Sequence, residues 1–187
     1  MGGRLAALLL LLATACLGSK PARFYTLDST ARSDGAAPAR VAVLVSPVTI
    51  PASVDRPQLV LHLAANQVEI DEFERWAAPL GDSIARVVAA DLSTLLGTPD
   101  VASAPLANFA PTYRVSIAVQ RFESAPGQHA LVDALWTVRK TAGGAPRSGR
   151  SIAHEPAADA TVGALAAAHS RALARVSADI AAAIRAE

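Results

Sequence analysis

Between Pro79 and Gly97 the apolar residues recur every three or four positions. Leu80, Ile84, Val87, Val88, Leu92, Leu95 and Leu96 share one face, while Asp82, Ser83, Arg86, Ala90, Ser93 and Thr94 take the other. That spacing predicts an amphipathic helix over about 79–96. Pro79 suits a first turn, where its missing N–H costs nothing, and Asp82 lies near the positive end of the helix dipole. Gly97 followed by Thr98-Pro99 is a strong stop. A second helix is predicted over about 160–185. Its seam is Leu165, His169, Leu173, Val176, Ile180 and Ile184, with Asp159 as its cap and Arg185 at its negative end.

Elsewhere the period is two. Phe24–Leu27 reads as a short first strand, followed by a Gly-, Ser- and Pro-containing loop over 28–39. Val41, Val43 and Val45 alternate with Ala42 and Leu44, a strand apolar on both faces and therefore central; Pro47 ends or bends it, and Val48-Thr49-Ile50 resumes before Pro51. Gln58–Leu63 and Gln67–Ile70 read as two extended pieces turning at Ala65-Asn66, and Val101-Ala102-Ser103 as an edge piece. Thr112–Phe122 buries Tyr113, Val115, Ile117 and Val119 on one side. Ala130–Val138 answers it across the Ala125-Pro126-Gly127 turn, and Ser148–His154 returns after a second turn. Strands, helix, three strands, helix define an α+β domain, a mostly antiparallel or mixed sheet covered by two main helices.

At 187 residues and 52% hydrophobic composition, one domain with an ample core is the natural size. The formal charge is +1, and removal of a leader containing Arg4 would leave 16 basic against 16 acidic residues. That balance lacks the basic footprint of a nucleic-acid binder, so no nucleic-acid partner is expected.

The first residues carry the sharpest signal. A positively charged start at Met1–Arg4 and an apolar run at Leu5–Leu12, too short to span a bilayer, lead into Ala13-Thr14-Ala15-Cys16. This resembles a bacterial lipobox, in which the signal peptide is cut before the cysteine, which carries two acyl chains through its sulfur and a third, typically palmitate, on its amine. Small residues before Cys16 suit that cleavage, while Ala13 stands where the pattern usually has Leu. The competing reading is an ordinary secretory signal cut after Ala15, which would leave the only cysteine as a free thiol. Leu17, rather than Asp, follows Cys16 and points to the outer membrane, facing the periplasm. The expected organisation is a signal peptide over 1–15, a lipidated N-terminus and tether over 16–23, and a single periplasmic domain over 24–187. Two or more acyl chains anchor stably where one does not. Leu17–Arg23 reaches only about 25 Å when fully extended, so the domain must stay close to its membrane.

In this order, Phe24-Tyr25-Thr26-Leu27 soon after Cys16, Val41–Pro51 with its two prolines, Trp76-Ala77-Ala78-Pro79-Leu80, Tyr113–Phe122 and Trp136 resemble the paraquat-inducible protein C family of ABC-type transport auxiliary lipoproteins. The ordered set carries the resemblance, which runs from the lipobox to the terminal helix. It implies a non-enzymatic outer-membrane lipoprotein working with an MCE-domain protein, a periplasmic tube, in lipid traffic between the two membranes. Some relatives are thought to assemble as rings. A different binder is the alternative: a lipoprotein that activates a cell-wall synthase or docks on another envelope machine.

Catalytic chemistry finds little support in the residues. His62, His129, His154 and His169 are scattered, and there is no H-E-x-x-H, no second cysteine, no G-x-S-x-G, no P-loop and no G-x-G-x-x-G. No catalytic residue, cofactor or metal is therefore expected. His169 reads as a packed histidine on its seam. Glu69 and Asp71 would share a face of an extended segment, where a solvated, aggregation-blocking edge outweighs a metal site. Asp133, among apolar neighbours, is the most interesting lone carboxylate, and a satisfied structural partner, such as an arginine on the adjacent strand, outweighs a catalytic role. For partner contact the candidates are Phe73, Arg75 and Trp76, placed in a loop before the first helix, since aromatic and arginine residues are common interface anchors. Trp76 has an equal alternative role, plugging the open end of the core.

Overall fold

The computed structural model describes residues 20–186. The elements are β1 (Arg23–Tyr25), β2 (Val43–Thr49), β3 (Gln58–Ala64), β4 (Gln67–Trp76), α1 (Leu80–Leu96), β5 (Val101–Ala102), β6 (Tyr113–Ala125), β7 (His129–Lys140), β8 (Arg147–Pro156) and α2 (Val162–Arg185). They form the expected α+β arrangement, with one mixed eight-stranded sheet.

The spine is β6. Its alternating apolar residues pair antiparallel with β7 from Tyr113↔Lys140 to Ala125↔His129, and β8 continues antiparallel outside β7. The other edge of β6 is shared between two strands. β2 runs parallel along its first half, from Val43↔Tyr113 to Thr49↔Ala118, and β3 meets its second half at Leu61↔Ser124. Pro47 does not end β2; the ladder slips between Val45 and Val48 and then resumes, so the missing donor is absorbed as an irregularity. Beyond β2 lies β5, and beyond β3 lie β4 and then β1 in parallel register, Arg23↔Glu74 to Tyr25↔Trp76.

α1 packs on β2, and α2 packs on β7, β8 and α1. The core therefore lies between one sheet face and the two helices, where Val43, Val115, Ile117 and Val132 meet Ile84, Val88, Leu92, Leu173 and Ile180. Every residue of the expected α2 seam is buried, each large apolar side chain contributing about 1.5–3 kcal/mol of transfer free energy. Alanines at 166, 168, 172 and 181 are buried with it and let the helix approach closely.

The helix ends follow local chemistry. Gly97 closes α1 in the left-handed region at φ 66°, and its N–H is donated to Ser93 O. At α2 the cap is Thr161 rather than Asp159: the Thr161 side chain accepts from the Ala164 N–H at 3.2 Å. Asp159 acts one step earlier, accepting the Thr161 N–H at 2.7 Å. Among the described residues no helix is long and apolar enough to cross a membrane.

Candidate docking surface

Phe73, Arg75 and Trp76 lie in β4, not in a loop. The segment is rich in charge, yet β4 is held on both sides, antiparallel to β3 and parallel to β1, so ladder hydrogen bonds carry the strand through to Trp76. Its geometry is irregular at one place. Leu59 pairs with Asp71 but the preceding Gln58 pairs with Arg75, and Asp71 Oδ1 accepts the N–H groups of Phe73 (2.9 Å) and Glu74 (3.2 Å) within the extra residues. Glu74 and Trp76 are buried, whereas Phe73 and Arg75 are half-buried. In that acidic run Glu69 and Glu72 are solvated as expected, Asp71 is half-buried and Glu74 is buried.

Trp76 is 6% exposed. Its ring meets Phe122 and His169 edge-on, at centroid distances of 6.1 and 6.4 Å, while Phe122 and His169 stack at 3.8 Å. The Trp76 backbone N–H donates to Pro57 O at 2.8 Å, and the Ala77 N–H donates to Tyr25 O at 2.9 Å, tying β1, the β2–β3 loop and the segment leading into α1 together. Trp76 thus plugs the core. It also floors an open depression of about 390 Å³, lined further by Asp55, Arg56, Pro57, Ala77 and Pro79.

Charge around this surface is organised by Glu74. Arg23 Nε donates to Glu74 Oε1 at 2.8 Å and its guanidinium makes a second bond to the same oxygen. That hydrogen bond, against the opposing effect of burial and with help from Tyr25, holds the Glu74 carboxyl below the usual carboxylate range. Arg75 Nε donates to Glu72 O at 2.9 Å, and Lys20 Nζ lies 5.8 Å from the centre of the Phe73 ring.

The remaining titratable groups hold the fold together. Asp133 receives both bonds of a guanidinium fork from Arg150 on the adjacent β8, at 2.9 and 2.7 Å, which lowers its pKa against the cost of burial. Glu155 on β8 is held by Arg171 at 3.1 Å and by Arg175, one helical turn apart on α2. Buried Asp91 was not legible as a site, although it sits on the apolar stripe of α1 between Val87, Val88 and Leu95, and a carboxylate there is itself a signal. Its Oδ1 accepts from Ser29 Oγ (2.6 Å), Thr30 N (3.2 Å) and Ala31 N (3.1 Å), and its Oδ2 accepts from Ser177 Oγ (3.1 Å). One side chain thereby pins the loop after β1 to both helices.

Ser124 Oγ lies 2.8 Å from His169 Nε2, the separation of a nucleophile and its base. The site is built against that chemistry: His169 is fully buried and stacked on Phe122. Nδ1 has no hydrogen-bond partner among the described residues, so no carboxylate orients the ring. Burial pushes the imidazole down to about 3. The pair is a packed polar contact, as the helix seam predicted for His169. His129 and His154 come within 5.3 Å between ring centres, but among the described residues no group of three or more His, Cys, Asp or Glu is arranged to hold a metal ion.

The buried imidazole makes stability pH-dependent. The unfolded chain protonates His169 near 6.5 while the folded chain keeps it neutral down to about 3. The unfolded state therefore binds more protons in that window. Stability is full above it and falls with decreasing pH at about 1.4 kcal/mol per unit, roughly 2 kcal/mol by about pH 5. Urea titrations at neutral and mildly acidic pH should show this slope for the wild type and a clearly shallower one for His169→Gln.

Cys16 lies outside the described residues. What the described residues define is an α+β domain with structurally paired buried charges and an open depression where β3 begins and β4 ends, the makings of a scaffold that presents surface. The chain matches the model of the ABC-type transport auxiliary lipoprotein component family over residues 25–181 and belongs to that family. No curated protein matches the chain. Among solved structures it is similar to a crystal structure of an uncharacterized protein (19% identity, 88% of this chain and 99% of that one, TM-score 0.73). It is also similar to protein XCC0632 from Xanthomonas campestris (20% identity, 84% and 92%, TM-score 0.69). These likenesses show the fold. A PelC dodecamer from Paraburkholderia phytofirmans is a looser likeness (15% identity, 82% and 93%, TM-score 0.40), too loose to carry an argument.

Proposed function

We propose that this chain is an outer-membrane lipoprotein, acylated at Cys16 and facing the periplasm. In this reading it holds the periplasmic MCE tube of an ABC transport system at the outer membrane during lipid traffic between the membranes. The family supports the auxiliary role. The observation that carries the docking role is the short reach of the tether. Lys20 already contacts Phe73 and β1 begins at Arg23, so from Cys16 to the body of the domain only about 14 Å of extended chain remains. A domain held that tightly cannot cross the periplasm, and a long partner has to come to it. Phe73 and Arg75 are the proposed contact residues, with Trp76 acting from beneath as the floor of the neighbouring depression. An Ala substitution at Arg75 should weaken recovery of the MCE protein while leaving the melting temperature unchanged.

The anchor is tested by fractionation. Wild-type protein should incorporate labelled palmitate and sediment with outer membranes, and Cys16→Ser should lose the label and sediment with neither membrane. A mature terminus carrying an unmodified Cys16 thiol would establish the ordinary secretory signal instead.

A further inference from the structure

The hairpin formed by β3 and β4 has an unusual tip. Residues 63–70 are all exposed, and their sequence is Leu63-Ala64-Ala65-Asn66-Gln67-Val68-Glu69-Ile70, with one charge and five apolar side chains. Leu63, Val68 and Ile70 are 45%, 51% and 40% exposed, so three of the seven exposed large hydrophobics among the described residues belong to this one tip. Solvent-facing hairpin tips are ordinarily polar, and a clustered apolar tip marks a surface that meets something.

The direction of the chain says what it meets. β1 runs parallel to β4, so the chain direction at Arg23, followed back toward Lys20, leads toward the hairpin tip. Lys20 over Phe73 fixes that course. Phe73 lies in the extra residues between the Leu59↔Asp71 and Gln58↔Arg75 pairs, and from Leu59 β3 extends five residues to Ala64, or roughly 17 Å. The tether from Lys20 to Cys16 spans at most about 14 Å. The hairpin thus projects as far as the tether can reach. A lipid-bearing Cys16 in the bilayer brings the tip to the membrane surface.

We infer that the β3–β4 hairpin tip is a membrane-contacting element, with Leu63, Val68 and Ile70 inserted into the interfacial layer of the bilayer that holds the lipid anchor. The inference rests on acylation of Cys16. It sets the orientation of the domain: the tip faces lipid, and the proposed contact residues Phe73 and Arg75 stand above it. The opposite end, where the loop containing Leu106 leads into β6, faces the periplasm. Leu106 is 61% exposed, which makes it a matched apolar control. Its loop enters β6 at Tyr113, eleven residues from the Ser124 level at which β3 pairs, or roughly 36 Å away.

The test uses full-length acylated protein reconstituted into phosphatidylethanolamine–phosphatidylglycerol vesicles. With Cys16 acylated, Val68→Cys or Leu106→Cys supplies the single free thiol for an environment-sensitive fluorophore. The label at position 68 should brighten several-fold, shift to the blue and be quenched by spin-labelled lipid, while the label at position 106 should do none of these. Both variants should melt like the wild type, because both side chains are exposed. A label at position 68 that remains in water on vesicle-bound, acylated protein would overturn the proposal and assign the tip to a protein partner. An intact mass without acyl chains would overturn the anchoring reading and this inference with it, and is distinguished by the mass alone.

Discussion

Trp76→Ala should lower folding stability by about 3–5 kcal/mol, the range for emptying a buried aromatic site. The ring is the point at which the end of β4, the start of α1, Phe122 on β6 and His169 on α2 converge. Its removal takes away apolar burial and two edge-on ring contacts at once. In a domain of this size that loss corresponds to a fall in melting temperature of roughly 6–20 °C. Trp76→Phe should retain most of the stability, because it keeps a ring in the same cavity. Chemical denaturation of the three proteins measures the difference. Unchanged stability of the alanine variant, together with lost recovery of a partner, would make Trp76 a contact residue and contradict its role as the plug.

The second large effect is expected at Asp91. Replacement by alanine should cost about 1.5–3 kcal/mol, because the fully buried carboxylate accepts four hydrogen bonds that alanine cannot. The donors are the N–H groups of Thr30 and Ala31 and the hydroxyls of Ser29 and Ser177. Asp91→Asn separates hydrogen bonding from charge. Its oxygen can still accept from Ser29, Thr30 and Ala31. Its amide can donate to Ser177 Oγ, which already has a carbonyl acceptor of its own at Leu173 O, 2.9 Å away. The asparagine variant should therefore fall well short of the alanine loss. Equal losses in the two would mean that the buried charge itself matters. In hydrogen exchange, Asp91→Ala should selectively deprotect the Thr30 and Ala31 amides.

The parts of this fold that are local were legible in the residues. Helical spacing in α1 and α2, the Gly97 stop, the β6–β7 hairpin across Gly127 and the turn after β7 all follow from periodicity and turn chemistry within a few residues. The Asp133–Arg150 pair was also foreseeable, since a carboxylate in an apolar strand requires a cation across the ladder. What escaped depends on distant partners. The Phe73–Trp76 stretch looks like a loop before the helix; pairing with β3, and with β1 at Glu74–Trp76, makes it a strand, and neither contact is visible locally. The sharing of one β6 edge by β2 and β3 is likewise a property of the assembled sheet. Asp91 is hidden for another reason: apolar periodicity defines the stripe of α1, and a lone carboxylate within it carries no spacing signal of its own. The capping of α2 shifted by two residues because Asp159 and Thr161 both suit a helix start, and the loop from β8 decides which reaches Ala164.

Partner identity most directly tests the central claim, a lipid-anchored auxiliary that receives a periplasmic MCE tube. The tagged lipoprotein would be purified from gently solubilised envelopes, and the proteins retained with it identified and quantified against an Arg75→Ala control. Recovery of an MCE-domain protein, reduced in the control, is the predicted result. Stoichiometric recovery of a cell-wall synthase with no MCE-domain protein would contradict the account.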